Sequence, residues 1–115
     1  MQAKWGTCGD NGAWCGFNTL NIDSPGFENG EGVYIIWQKQ GPVIKVGKGR
    51  IKDKIQEDRG TPEILQYPEL LVTWATISSE YRSSVHSYLS NKLKPKIPTN
   101  VTDASPVAVN LPWPY

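Results

Sequence analysis

The sequence predicts an α+β domain in which a small three-stranded antiparallel sheet, in β-β-α-β-α order, is flanked by helices. Three observations carry this. Two runs of β-branched and aromatic residues, Val33–Trp37 (VYIIW) and Val43–Val46 (VIKV), are separated by a loop short enough for a hairpin. A third run, Leu70–Ile77 (LLVTWATI), reads as a strand with apolar residues on both faces. Segments with helical spacing follow the second and third runs.

The length of 115 residues suits one domain with one modest core. Within it, 1–31 reads as an irregular N-terminal arm, 32–97 as the core and 98–115 as a Pro-rich extended tail. Charge is nearly balanced, with 12 Lys and Arg against 11 Asp and Glu, so a nucleic-acid partner has to be met by a local basic patch. No apolar run approaches the roughly 20 residues of a membrane span, and no signal-peptide pattern opens the chain, so no membrane role is expected. Two cysteines, Cys8 and Cys15, are too few to staple a secreted mini-protein. They are expected as two free or buried thiols in a cytoplasmic protein, and their spacing is too wide for a zinc knuckle. Asn100-Val101-Thr102 matches a glycosylation tripeptide but has no meaning without a secretory route.

In chain order, the arm is rich in Gly and Asn, with room for a short edge strand within Trp14–Ile22 and aromatics to cover one side of the core. Ser24-Pro25-Gly26 reads as a turn. After the hairpin, Gly47 and Gly49 are expected to end the second strand. Ile51 and Ile55 then mark a short helix that Gly60-Thr61-Pro62 stops. Following the third strand, Ser78 or Ser79 can cap a helix whose stripe is Tyr81, Val85, Tyr88, Leu89 and Leu93, ended by Pro95.

Gly32-Val33-Tyr34 followed, after a short loop, by Lys45-Val46-Gly47 resembles the paired half-motifs of the GIY-YIG nuclease superfamily. The element order is also similar to that family's core, and the resemblance spans residues 31–97. It implies cleavage of phosphodiester bonds, with a tyrosine, an arginine and a metal-binding glutamate in the site. Tyr34 keeps the family's first tyrosine. Lys45 stands where the second tyrosine belongs. Lys54 falls at the arginine position when Ile51 is aligned with the family's apolar residue, and Arg50 is the other candidate for that role. Counting back from Pro95 puts His86 at the glutamate position.

Each change has a chemical consequence. The family's divalent cation, Mg²⁺ or Mn²⁺, prefers hard oxygen ligands, and an imidazole disfavours it, so no residue is assigned as a metal ligand. Glu57 and Asp58 are acids on the first helix that could replace the missing ligand. Lys54 neutralises a phosphate without the bidentate fork of Arg. Lys45 beside Tyr34 either lowers the phenol's pKa or supplies another phosphate contact.

Lys45–Arg59 carries six basic and three acidic residues, so Lys48, Arg50 and Lys52 are expected to bind nucleic acid, DNA before RNA. The plain reading beside this one makes Tyr34 a core aromatic, His86 an inert helix residue and the lysines a solvated face. Three functions therefore stand as expectations: a divergent nuclease with Tyr34, Lys45, Lys54 and His86 as its catalytic set, a nucleic-acid-binding module with a degenerate site, or a protein-interaction domain using the tail Leu111-Pro112-Trp113-Pro114-Tyr115.

Overall fold

The computed structural model describes residues 1–8, 12–24, 27, 30–99 and 104–113. Its elements are β1 (Cys15–Gly16), β2 (Glu31–Gln38), β3 (Val43–Arg50), α1 (Ile51–Asp58), α2 (Pro62–Leu65), β4 (Leu70–Thr76) and α3 (Ser79–Leu93). The strands form one antiparallel sheet in the order β1-β4-β2-β3. The hairpin, helix, strand, helix succession is as the sequence predicts, but the sheet has four strands rather than three. The addition is β1, the short edge strand anticipated within Trp14–Ile22, which pairs Cys15 with Val72 and Gly16 with Leu71.

β2 lies in the sheet interior, between β3 and β4, and is buried from Gly32 to Trp37. Side chains alternate across it. Tyr34 and Ile36 face α1 and α2, packing with Ile44, Ile51, Ile55, Ile64 and Val72. Val33 and Ile35 face α3, packing with Val46, Ala75, Val85, Leu89 and Leu93. The sheet thus separates two apolar layers, and β3 is the edge strand opposite β1.

Several local expectations need correction. β3 does not end at Gly47 but runs through Gly49, at a φ of 127° that L side chains rarely adopt, to Arg50. Pro62 does not merely stop a helix; it opens α2 from its first turn, where a missing N–H costs nothing. On α3, Val85, Leu89 and Leu93 are buried and Tyr88 is half-buried, whereas Tyr81 is 42% exposed and leaves the stripe. Ser78 is the N-cap residue without a side-chain cap hydrogen bond.

The arm's aromatics cover both sheet faces rather than one: Phe17, Leu20 and Ile22 join the α1 side, while Trp5 and Trp14 join the α3 side. Cys8 and Cys15 are not free thiols but form a disulfide, with Cα atoms 5.0 Å apart. The Cys8–Ala13 bridge closes the loop that brings them together. Val109, Leu111 and Trp113 of the tail join the α3 side. Val109 is buried there, the Asn110 side chain pairs with the Ala3 backbone at 2.5 and 3.0 Å, and Trp5 Nε1 donates to Asn110 O at 2.8 Å. No helix among the described residues is long and apolar enough to cross a membrane. Pro25 and Gly26 of the expected turn, the tripeptide Asn100-Val101-Thr102, and Pro114 and Tyr115 of the tail lie outside the described residues.

Candidate functional site

Antiparallel register places Tyr34 directly opposite Gly47. A Cβ at position 47 would lie inside the van der Waals envelope of the Tyr34 ring and hydroxyl, so glycine is what lets the ring lie across β3. The ring's hydroxyl then reaches the end of α1, where it donates to Asp58 Oδ2 at 2.6 Å. Lys45, on the same sheet face, donates to Asp58 Oδ1 at 2.6 Å and sits 5.9 Å from the Tyr34 ring centroid.

Asp58 is 1% exposed and its two oxygens are divided between these partners, which is how a carboxylate is accommodated among isoleucines. Burial, followed by the charge and hydrogen bond of Asp58, pushes the Tyr34 phenol well above its usual range. The expectation that Lys45 lowers that pKa is therefore overturned. The ammonium is matched to Asp58, and Asp58 holds the phenol protonated.

On the other side of β3, His86 of α3 is 1% exposed. Its Nε2 lies 3.2 Å from Val46 O and 2.8 Å from Thr99 Oγ1, and Thr99 donates to the same carbonyl at 3.0 Å. A carbonyl only accepts, so the arrangement is satisfied with the proton on Nε2. Nδ1 is buried without a hydrogen-bond partner. Burial lowers the imidazole pKa, the Val46 carbonyl opposes it, and the Lys48 and Lys45 charges lower it further, so the ring is neutral at pH 7.

These groups share one pocket of about 150 Å³, lined by Tyr34, Lys45, Gly47, Lys48, Lys54, His86 and Thr99. All four residues proposed as a catalytic set from the sequence meet there, together with Lys48. Arg50 and Lys52 do not line it: Arg50 lies 3.8 Å from Asp53 and Lys52 lies 3.2 Å from Asp23. Lys48 donates to Ser83 of α3 at 2.9 Å, and Lys54 is 3.7 Å from the exposed Glu57.

Three lysines thus line the pocket, Lys45 paired with the buried Asp58, Lys54 near the exposed Glu57 and Lys48 bonded to Ser83, and both oxygens of Asp58 are already hydrogen-bonded. No group of three His, Cys, Asp or Glu placed to hold a metal occurs among the described residues.

Asp58 was visible in the sequence only as a stand-in acid. Its signal is positional, since with Ile51 and Ile55 it completes an i, i+4, i+7 stripe and so must point inward. Thr99 had no such signal. No protein-family model, curated protein or solved structure matches the chain.

Proposed function

We propose that this chain is a GIY-YIG-like domain whose degenerate site binds a nucleic-acid phosphodiester in the pocket between α1, β3 and α3. The observation that carries the reading is the convergence of Lys45, Lys48 and Lys54 on one small pocket with Tyr34 and His86. Lysine ammoniums are point-charge phosphate ligands, and counter-ion release supplies the affinity. Tyr34, held protonated by Asp58, serves as a hydrogen-bond donor and structural anchor in place of a phenolate base. The domain is thus a binding module in the first instance, with DNA as the partner ahead of RNA.

Hydrolysis stands as the second reading because Tyr34, Lys45, Lys54 and His86, the set expected from the sequence to be catalytic, line one pocket. A protein-interaction role through the tail loses ground because Trp113 packs on Trp37, with ring centroids 4.6 Å apart. The cytoplasmic location inferred from free thiols would require the Cys8–Cys15 disulfide to be opened; as it stands, the bond suits an oxidising compartment.

The test is binding of labelled single-stranded and duplex DNA over a salt series, with product analysis by gel in Mg²⁺, Mn²⁺ or chelator. The reading predicts salt-sensitive binding with little or no cleavage. Absent or salt-insensitive binding contradicts it. Cleavage abolished by Tyr34→Phe moves the assignment to an enzyme.

A further inference from the structure

A second and larger concavity, about 680 Å³, opens on the α3 side of the sheet at the tip of the β2–β3 hairpin. Trp14, Trp37 and Trp113 line it, with Trp37 and Trp113 tilted against each other and Trp14 meeting both edge-on. Lys39 and Lys94 stand on its rim, both exposed and neither in an ion pair among the described residues, and no carboxylate lines it.

Three indoles, from the arm, the central strand and the tail, meet at this end of the sheet. Trp14 and Trp113 remain half-buried, with surface to spare. Aromatic surface beside exposed cations is the composition of a single-strand stacking platform.

The two pockets are joined by the sheet edge. Val43, at the start of β3, lines the tryptophan pocket, and Lys48 of the same strand lines the phosphate pocket, about 17 Å further along at the usual rise per residue. Lys94 adopts a left-handed conformation at the end of α3 and turns the chain onto that edge. There Lys96 N donates to Val43 O at 3.1 Å and Ile97 N to Ile44 O at 2.8 Å, before Thr99 reaches the phosphate pocket. The segment thus runs from one pocket to the other, bearing the exposed Lys96 midway.

We infer that the tryptophan pocket is a base-stacking subsite, so that the preferred ligand is single-stranded nucleic acid lying over the 94–99 segment, phosphate in one pocket and an unpaired base in the other. This inference rests on the reading of the phosphate pocket given above. Charge selects this occupant over a proline-rich peptide, which has no need of the rim lysines.

The experiment compares binding of two probes of equal charge: oligothymidylate of about eight nucleotides, within the roughly 4–16 that single-strand sites occupy, and an abasic backbone of the same length. Oligothymidylate is expected to bind at least about fivefold more tightly, the low end for stacking one base, and to quench indole emission, which the abasic chain leaves unchanged. Trp113→Leu, if folded by circular dichroism, is expected to remove most of that difference. Equal affinity for the two probes overturns the stacking subsite and leaves the phosphate reading standing. Binding of neither overturns both. Quenching by a proline-rich peptide, without competition from oligothymidylate, assigns the pocket to protein and overturns the inference.

Discussion

The Tyr34 hydroxyl donates to Asp58 Oδ2 at 2.6 Å across the interior face of β3, and the opposite oxygen of the same carboxylate takes Lys45 at the same distance. The first strand of the hairpin, its return strand and the end of α1 are thereby tied at one point. A buried carboxylate with both oxygens occupied is costly to disturb, because each partner removed leaves a desolvated charge or donor behind.

Asp58→Ala is accordingly expected to cost roughly 2–5 kcal/mol, between the loss of a charged hydrogen bond and the cost of breaking a buried ion pair. Tyr34→Phe, which deletes one hydroxyl and keeps the ring, is expected to cost about 1.5–3 kcal/mol. Urea unfolding midpoints measure both. A neutral Asp58→Ala would mean that the carboxylate is not held as described.

Gly47→Ala drives a methyl into the Tyr34 ring. Overpacking of this kind costs typically about 1–3 kcal/mol. A large part of that cost should disappear in the Tyr34→Ala background, where the ring is absent, so a double-mutant cycle by thermal unfolding reads the contact directly. Additive effects of the two substitutions would argue against it.

His86 is the single histidine of the chain, so pH dependence near its ordinary value of 6.5 is easy to attribute. Its folded pKa lies below the unfolded one, so the unfolded state binds the proton more readily. The stability gained from keeping the ring neutral is therefore present above about pH 6.5 and is lost as pH falls from there towards the lowered folded value. His86→Gln is expected to flatten the stability profile in that window, measured by urea unfolding at successive pH values. An unchanged slope would contradict the assignment.

The disulfide closes a short loop, with a sequence separation of 7 between Cys8 and Cys15. Reduction is expected to cost about 2–3 kcal/mol on chain-entropy grounds. It should also loosen the pairing of β1 with β4, visible as faster amide exchange at Val72. Equal unfolding midpoints with and without reductant would show that the bond contributes nothing.

The hairpin, α1, β4 and α3 were legible in the sequence because each has a dense apolar pattern with one period. The pocket was legible only in part. Tyr34, Lys45, Lys54 and His86 are carried by regular elements whose spacing fixes where they meet, whereas Arg50 and Lys52 share the basic stretch yet turn to Asp53 and Asp23. Charge density along a sequence does not say which side of a helix faces a pocket. Tyr81 misled in a similar way: its spacing fits the stripe of α3, but the stripe's sheet contact begins one turn later at Val85. The disulfide and Thr99 depend on how irregular segments fold back, which residue periodicity does not encode. The Tyr34 pKa rises where a neighbouring lysine suggested a fall, first because the ring is buried and then because Asp58 accepts from its hydroxyl.

The most direct test of the phosphate pocket is the salt dependence of single-stranded DNA binding by wild type, Lys48→Ala, Lys54→Ala and the double variant, with Lys52→Ala as a control outside the pocket. The account predicts that log K falls linearly with log salt, with a slope reduced by about 0.7 for each pocket lysine that neutralises a phosphate, and nearly unchanged for Lys52→Ala. Slopes that are the same in wild type and the double variant, or that fall equally for Lys52→Ala, would contradict it.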